Sequence, residues 1–181
     1  TDIGASSAEE VARQLYNIVN LSYRLGLDEG DGNSVGARWL NRLEGIAEDH
    51  EGSEEIQLAL AKGLNVAIGV GEIECLERLY SVARDHEDDE KIQLRLAWGL
   101  ANAINAGETE YLEQLETVAE DHEDNEEIQR ALATGFSNAV SEGEMWHMDR
   151  LETVAETYAN DEEIQIRFAQ ALYNAILAEQ M

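Results

Sequence analysis

Two observations predict an all-α fold built from stacked two-helix units: a phrase that recurs every 36 residues, and apolar residues that recur at three and four. The stretch Arg42-Leu43-Glu44-Gly45-Ile46-Ala47-Glu48-Asp49-His50 returns as Arg78-Leu79-Tyr80-Ser81-Val82-Ala83-Arg84-Asp85-His86. It returns again from Gln114 to His122 and from Arg150 to Tyr158. A second phrase keeps the same step, as Ile56-Gln57, Ile92-Gln93, Ile128-Gln129 and Ile164-Gln165. A fixed period of this size marks an architecture in which one unit cannot bury its apolar face alone. About four and a half units fit the chain, at 9–52, 53–88, 89–124 and 125–160, with a closing helix over 161–178. The expectation is one α-solenoid domain over 1–181.

Each unit divides into a helix A and a helix B. The first unit is the least regular: Glu9 to Leu25 matches helix A, with Val11 and Leu15 in the places of Ile56 and Leu60. Nine extra residues, including Gly30-Asp31-Gly32-Asn33, then lengthen its loop. In the third unit helix A runs from about Glu90 to Ala106, with Ile92, Leu96, Leu100 and Ala103 on one stripe, the amphipathic helix period. Ser53, Asp89, Asn125 and Asp161 stand at N-cap positions, and Glu90, Glu126 and Glu162 place negative charge beside the positive end of the helix dipole. Gly71, Gly107 and Gly143 end helix A, where a left-handed residue costs glycine little. Helix B of the third unit buries Leu112, Leu115, Val118 and Ala119 and stops at the acidic tract His122-Glu123-Asp124-Asn125. Within helix A, Gly63, Gly99, Gly135 and Ala171 share one position. A mid-helix glycine costs up to about 1 kcal/mol against alanine, so its repetition implies close approach of a neighbouring helix. Nine helices result: A and B four times, then a closing A.

The charge is lopsided. Against 39 acids stand 12 bases, giving −27, and only Lys62 and Lys91 are lysines. That field repels nucleic acid and anionic membranes, which weighs against both as partners. It reads either as a solubilising acidic coat or as halophilic adaptation to a salty cytoplasm. Apolar residues make up 44%, too many for a disordered acidic tail. No apolar run approaches the ~18 residues of a membrane span, and no basic-plus-apolar leader is visible. Thr1 leaves room for a longer parent chain. The lone Cys75 has no internal partner, consistent with a reducing, cytoplasmic location. Its place near a helix start could lower its pKa, but the favoured reading is a plain structural cysteine, since its equivalents are Trp39, Tyr111 and His147.

The stretch Asp89-Glu90-Lys91-Ile92-Gln93, followed by Leu96-Ala97-Trp98-Gly99-Leu100-Ala101-Asn102-Ala103-Ile104, resembles the third helix of an armadillo repeat. The shared features are an acidic start, Ile/Val-Gln, and a Trp with Asn four residues later. The Trp/Asn pair is complete at Trp98 and Asn102; Asn138 and Asn174 keep the Asn, with Thr134 and Gln170 in the Trp place. The second unit has Lys62 and Val66 there, with Asn65 displaced by one. The two-helix HEAT group is a comparable match for layout. The resemblance implies a right-handed, armadillo/HEAT-like α-solenoid whose A helices line a concave groove. There the Asn side chains would hold the backbone of an extended peptide and the Trp would flank its side chains.

The residues themselves mark the same face. Lys91, Arg95, Trp98 and Asn102 recur at three and four and lie off the core stripe. They vary between units while the core stripe barely does. Seven of the twelve bases lie on A helices: Arg13, Arg24, Lys62, Lys91, Arg95, Arg130 and Arg167. The expected peptide-binding residues are Trp98, Asn102, Asn138 and Asn174, with Arg95, Arg130, Arg167 and Lys62 selecting an acidic or C-terminal carboxylate. The competing reading has the Asn and Trp filling contacts between repeats and the arginines pairing with nearby Glu. His50, His86 and His122 sit beside aspartates, but each cluster offers one His at a helix end, where the dipole alone favours it. No metal or other cofactor is therefore expected. Catalysis has no foothold, since no nucleophile elbow, phosphate loop or H-E-x-x-H is present. The expectation is a non-enzymatic protein-protein interaction scaffold. The alternatives are a structural or designed repeat module with no ligand, and an acidic decoy for a basic partner. Ile166, Tyr173 and Leu177 leave a partly apolar stripe on the closing helix, to be covered by self-association or by a segment of a longer chain.

The charge generates a prediction. Folding gathers 39 carboxylates with 12 bases, so self-repulsion opposes the native state. The screening length is roughly 30 Å at about 0.01 M salt and roughly 3 Å near 1 M. Stability therefore rises steeply with KCl, and also as pH falls toward about 5, where crowded Glu side chains take up protons. Circular dichroism melts across a KCl series check this; a melting temperature flat from low to molar salt would mean the acidity is only a solubility coat.

Overall fold

The computed structural model describes residues 3–27 and 34–178, and among them the chain is all-helical, without a β-strand. Nine α-helices follow in order: α1 (Ile3–Arg24), α2 (Val35–Asp49), α3 (Glu54–Gly69), α4 (Cys75–Asp85), α5 (Glu90–Asn105), α6 (Leu112–Asp121), α7 (Glu126–Ser141), α8 (Met148–Thr157) and α9 (Glu162–Ala178). Short 3-10 turns, Thr109–Tyr111 and Met145–His147, lead into α6 and α8. The odd-numbered helices are the A helices of the sequence and the even-numbered ones are B. One boundary differs: α1 begins at Ile3, ahead of Glu9, because no proline or glycine pair stops it there. The lengthened loop at Gly30-Asp31-Gly32-Asn33 lies outside the described residues.

The chain divides into two compact units, Thr1–Gly99 and Leu100–Met181, with the boundary inside α5. In the first, α3 touches α1, α2 and α4. In the second, α7 touches α6, α8 and α9. Each unit is therefore organised around one A helix enclosed by its neighbours. Leu40, Leu43, Ile56, Leu64, Ile68, Leu76 and Leu79 fill the first core, and Ile104, Leu115, Ile128, Phe136 and Leu151 the second, all essentially without solvent contact. Burying each such side chain contributes about 1.5–3 kcal/mol.

Helix ends follow the repeated phrases. After α3, α5 and α7 the chain turns through Gly71, Gly107 and Gly143, with φ of 101°, 98° and 100°. The N–H of Glu72, Glu108 and Glu144 reaches back to the carbonyl of Ala67, Ala103 and Ala139, and each glycine N–H to Ile68, Ile104 or Val140. That pair of bonds is the Schellman motif, and glycine supplies the left-handed residue it needs. Three of the four expected N-caps work through the side chain: Asp89 Oδ1 accepts from Lys91 and Ile92, Asn125 Oδ1 from Ile128, and Asp161 Oδ1 from Glu163 and Ile164. Ser53 is the exception. Its hydroxyl donates to Glu9 at 3.2 Å on α1, so only its backbone carbonyl serves α3.

Helices B and A are joined by a glutamine. Gln57 Nε2 donates to the Ala47 carbonyl at 2.8 Å, Gln93 to Ala83 at 2.8 Å, Gln129 to Ala119 at 2.7 Å and Gln165 to Ala155 at 2.7 Å. These carbonyls belong to the last turn of each B helix, where i+4 donors run out; those of Ala47 and Ala83 also accept the His50 and His86 N–H. The His at the helix end belongs to the same device. Carbonyls of His50, His86, His122 and Tyr158 accept the N–H of Ser53, Asp89, Asn125 and Asp161, closing the acidic turn.

Close approach explains the mid-helix glycines. A Cβ on Gly63 would lie 3.0 Å from Leu40 Cδ1, on Gly99 2.7 Å from Leu79 Cδ2, and on Gly135 2.5 Å from Leu115 Cδ2 and 3.2 Å from Ile104 Cδ1. Leu115 is fully buried and has little room to retreat. In Gly135→Ala, overpacking costs about 1–3 kcal/mol against a helix-propensity gain of up to about 1 kcal/mol. The expected net loss is about 0.5–2 kcal/mol, while Gly63→Ala, with its longer contact, stays near neutral. Thermal denaturation of both variants tests this, and a Gly135→Ala protein that melts higher than the parent would show that the helices do not press together there.

Candidate functional site

Enclosure of the A helices leaves one narrow way in. Between Ile92 and Ile104 of α5 every residue is buried except Arg95, Trp98 and Asn102. Their spacing of three and four places them on a single line along the helix. Between Ile128 and Val140 of α7 every residue is buried except Arg130 and Asn138. On α3, between Ile56 and Ile68, the half-buried residues are Leu58, Lys62, Asn65 and Val66. Helix α9 is open more widely: Arg167 and Asn174 are half-buried, while Gln170 and Tyr173 are exposed. The residues expected to bind a ligand are thus among the accessible residues of these helices, with Leu58, Asn65, Val66, Gln170 and Tyr173 accessible beside them.

Their hydrogen bonds divide them. Asn65 Nδ2 donates to the Arg95 carbonyl at 2.8 Å, Asn138 Nδ2 to the Ala101 carbonyl at 3.4 Å, and Asn174 Nδ2 to Ser141 Oγ at 2.8 Å. Each amide nitrogen therefore bridges to a neighbouring A helix, Asn65 to the one that follows and Asn138 and Asn174 to the one before, as the competing structural reading of the sequence holds. An asparagine amide offers two donors and an acceptor, and in Asn65 and Asn138 the side-chain oxygen has no partner among the described residues. Asn102 carries no side-chain hydrogen bond to a described residue.

The cations divide too. Arg130 Nε lies 2.8 Å from Asp161 Oδ2, and its Nη2 lies 3.9 Å from Glu126. Burial pushes the Asp161 carboxyl up, but Arg130 and the N–H groups of Ile164 and Glu163 outweigh it and hold the group below the usual carboxylate range. Arg130 is thus committed to tying α7 to the start of α9. Arg167 reaches Glu163 at 3.9 Å and Gln170 at 3.3 Å. Arg95 differs in that no carboxylate pairs with it among the described residues; its Nε, like that of Arg167, is buried without a hydrogen-bond partner. Lys62 likewise has no ion pair, and burial, then Arg95 and Lys91, lower the pKa of its ammonium.

Sequence reasoning passed over the glutamates that follow the turn glycines. Glu72 accepts from Tyr23 Oη at 2.6 Å and Ser34 Oγ at 3.3 Å, and Glu144 accepts from Thr109 Oγ1 at 2.7 Å and meets His147 Nε2 at 3.1 Å. The signal was present, since Glu72, Glu108 and Glu144 recur at the repeat step. Cys75 is 2% exposed, and burial pushes its thiol up to about 11, so it fills core space as a structural cysteine. The thiolate, the reactive form, is scarce there at neutral pH.

No described helix is long and apolar enough to cross a membrane. The chain matches no family model, no curated protein and no solved structure.

Proposed function

We propose that this chain is a non-enzymatic protein-interaction scaffold, a right-handed armadillo/HEAT-like α-solenoid that holds an extended peptide or protein segment along its A helices. The observation that carries this reading is the enclosure of α5 and α7. Helices buried on all other sides keep one line open, and that line bears Arg95, Trp98 and Asn102 on α5 and Arg130 and Asn138 on α7. A helix that served only to fill a core would gain from apolar residues at these places. Instead they carry an indole face and amides able to accept from a peptide N–H. Neighbouring packed helices lie about 8–10 Å apart, while an extended strand advances about 6.5–7 Å per two residues. Successive asparagines would therefore meet alternate peptide groups of a gently curved segment.

The uncovered side of α9, where Ile166, Leu172, Tyr173, Ile176 and Leu177 are all exposed, supports self-association through this helix as a further contact. The cytoplasm, which offers the reducing conditions Cys75 suits, is the proposed location.

A peptide-library pull-down at molar and at moderate salt tests the groove, run with the parent protein and with a Trp98→Ala/Asn102→Ala/Asn138→Ala variant. Selective recovery of a peptide set that the variant loses supports the scaffold. Equal recovery of every peptide by both proteins means that the units serve only to pack on one another.

A further inference from the structure

In a chain of −27, most guanidinium groups find carboxylates: Arg78 meets Glu44, Arg84 meets Asp85, Arg130 meets Asp161, and Arg150 meets Glu116. Arg24, exposed at the end of α1, and Arg42, over the Trp39 ring, have no ion pair among the described residues, and three further cations share that lack. These three are Lys62 on α3 and Lys91 and Arg95 on α5. They lie together. The bond from Asn65 to the Arg95 carbonyl joins α3 to α5 at 2.8 Å, and Lys62 stands one turn before Asn65 on the same side of α3. Lys91 stands one turn before Arg95, at i and i+4 on one face of α5.

The sequence makes the departure sharper. At the repeat position of Lys91 the other units carry Glu55, Glu127 and Glu163. In the last unit, that Glu163 is the carboxylate that reaches Arg167, the counterpart of Arg95. Here the carboxylate is replaced by a second cation, so Arg95 loses its intrahelical partner and gains a like charge at i−4. Like charges at this spacing destabilise a helix. The Arg95 Nε is buried and unmet, as is that of Arg167, but Arg95 has no carboxylate beside its other nitrogens either. An incoming anion would satisfy all three groups at once.

We propose that Lys62, Lys91 and Arg95 form a receptor for the carboxylates of an acidic peptide segment, with the Trp98 ring one turn from Arg95 as its apolar flank. This deepens the peptide-binding reading and rests on it. A peptide fits the field better than a nucleic acid does. A polyanion carries charge at every step and would have to run along the acidic remainder of the surface, whereas a peptide places one or two carboxylates at the cations and neutral residues elsewhere. Arginine offers a planar fork matched to a carboxylate, and the two lysines add compact point charges on either side.

The test uses NMR of the Arg95 Nε–H and the Trp98 indole N–H in the full chain, at a salt concentration that screens the net charge. The probes are an acetyl-Ala-Glu-Ala-Glu-Ala-amide peptide, its Gln counterpart and a short single-stranded oligonucleotide. The expected result is a saturable shift of both signals with the Glu peptide and little with the Gln peptide. Lys91→Glu, which restores the residue of the other units, should keep the fold and weaken Glu-peptide binding about five- to tenfold or more. Lys62→Gln should weaken it in the same direction. If the Glu and Gln peptides bind equally and Lys91→Glu changes neither, the carboxylate receptor is overturned while the groove survives. If neither peptide shifts Arg95, the receptor is overturned and the library experiment alone decides the groove. Tighter binding of the oligonucleotide than of the Glu peptide would overturn the choice of a peptide partner.

Discussion

The structure depends on a side-chain hydrogen bond made at the junction of each B helix with the next A helix. A glutamine in the first turn of α3, α5, α7 and α9 donates to a carbonyl in the last turn of the helix before it. The donor is sequestered: Gln57, Gln93 and Gln129 are 5–7% exposed. A buried amide without a partner is costly, and the last turn of a helix has carbonyls with acceptor capacity to spare, even at Ala47 and Ala83, which also accept the His50 and His86 N–H, so the donor is satisfied only in one arrangement. That requirement fixes where α3, α5, α7 and α9 begin relative to their predecessors. It places the neighbouring isoleucine, fully buried in every case, against the B helix. It also accounts for the short acidic turn, whose His or Tyr carbonyl receives the N–H of the capping residue.

Once that junction is set, the glycines within the A helices decide how near the helices come, and nearness decides what remains accessible. With Leu79 against Gly99 and Leu115 against Gly135, the leucines and alanines of α5 and α7 disappear from solvent and one polar line survives. The candidate site is thus a product of the packing. Its electrostatics follow from the same geometry. Arg130 can reach Asp161 because that aspartate caps α9 beside α7, while Arg95 meets no equivalent carboxylate and faces Lys62 and Lys91.

Much of this was legible in the residues. The 36-residue step located the helices, the left-handed glycines and the close approaches, because each depends on one residue type at one place. The open line on the A helices was legible as the stripe off the core. Other features were hidden, since they turn on partners distant in the chain. Ser53 looks like a cap but donates to Glu9 across the unit. Arg130 looks like a free charge but is held by Asp161, and the asparagines use their amide nitrogens on neighbouring helices. The Ile-Gln phrase was visible while its purpose was not, because a glutamine's acceptor cannot be read from its own neighbours. The division into two compact units within α5 also leaves no mark in a sequence whose period continues across it.

The most direct measurement is the unfolding free energy of Gln129→Met beside Gln165→Met. Methionine keeps the length and the apolar bulk of glutamine and removes the donor, so the Ala119 carbonyl loses its side-chain bond. If the buried glutamine sets the junction, Gln129→Met loses about 1–3 kcal/mol. Gln165, half-buried on the open helix α9, loses less because water can replace the donor. A Gln129→Met protein as stable as the parent, or more stable, would contradict the account, since apolar packing alone would then suffice to join the helices.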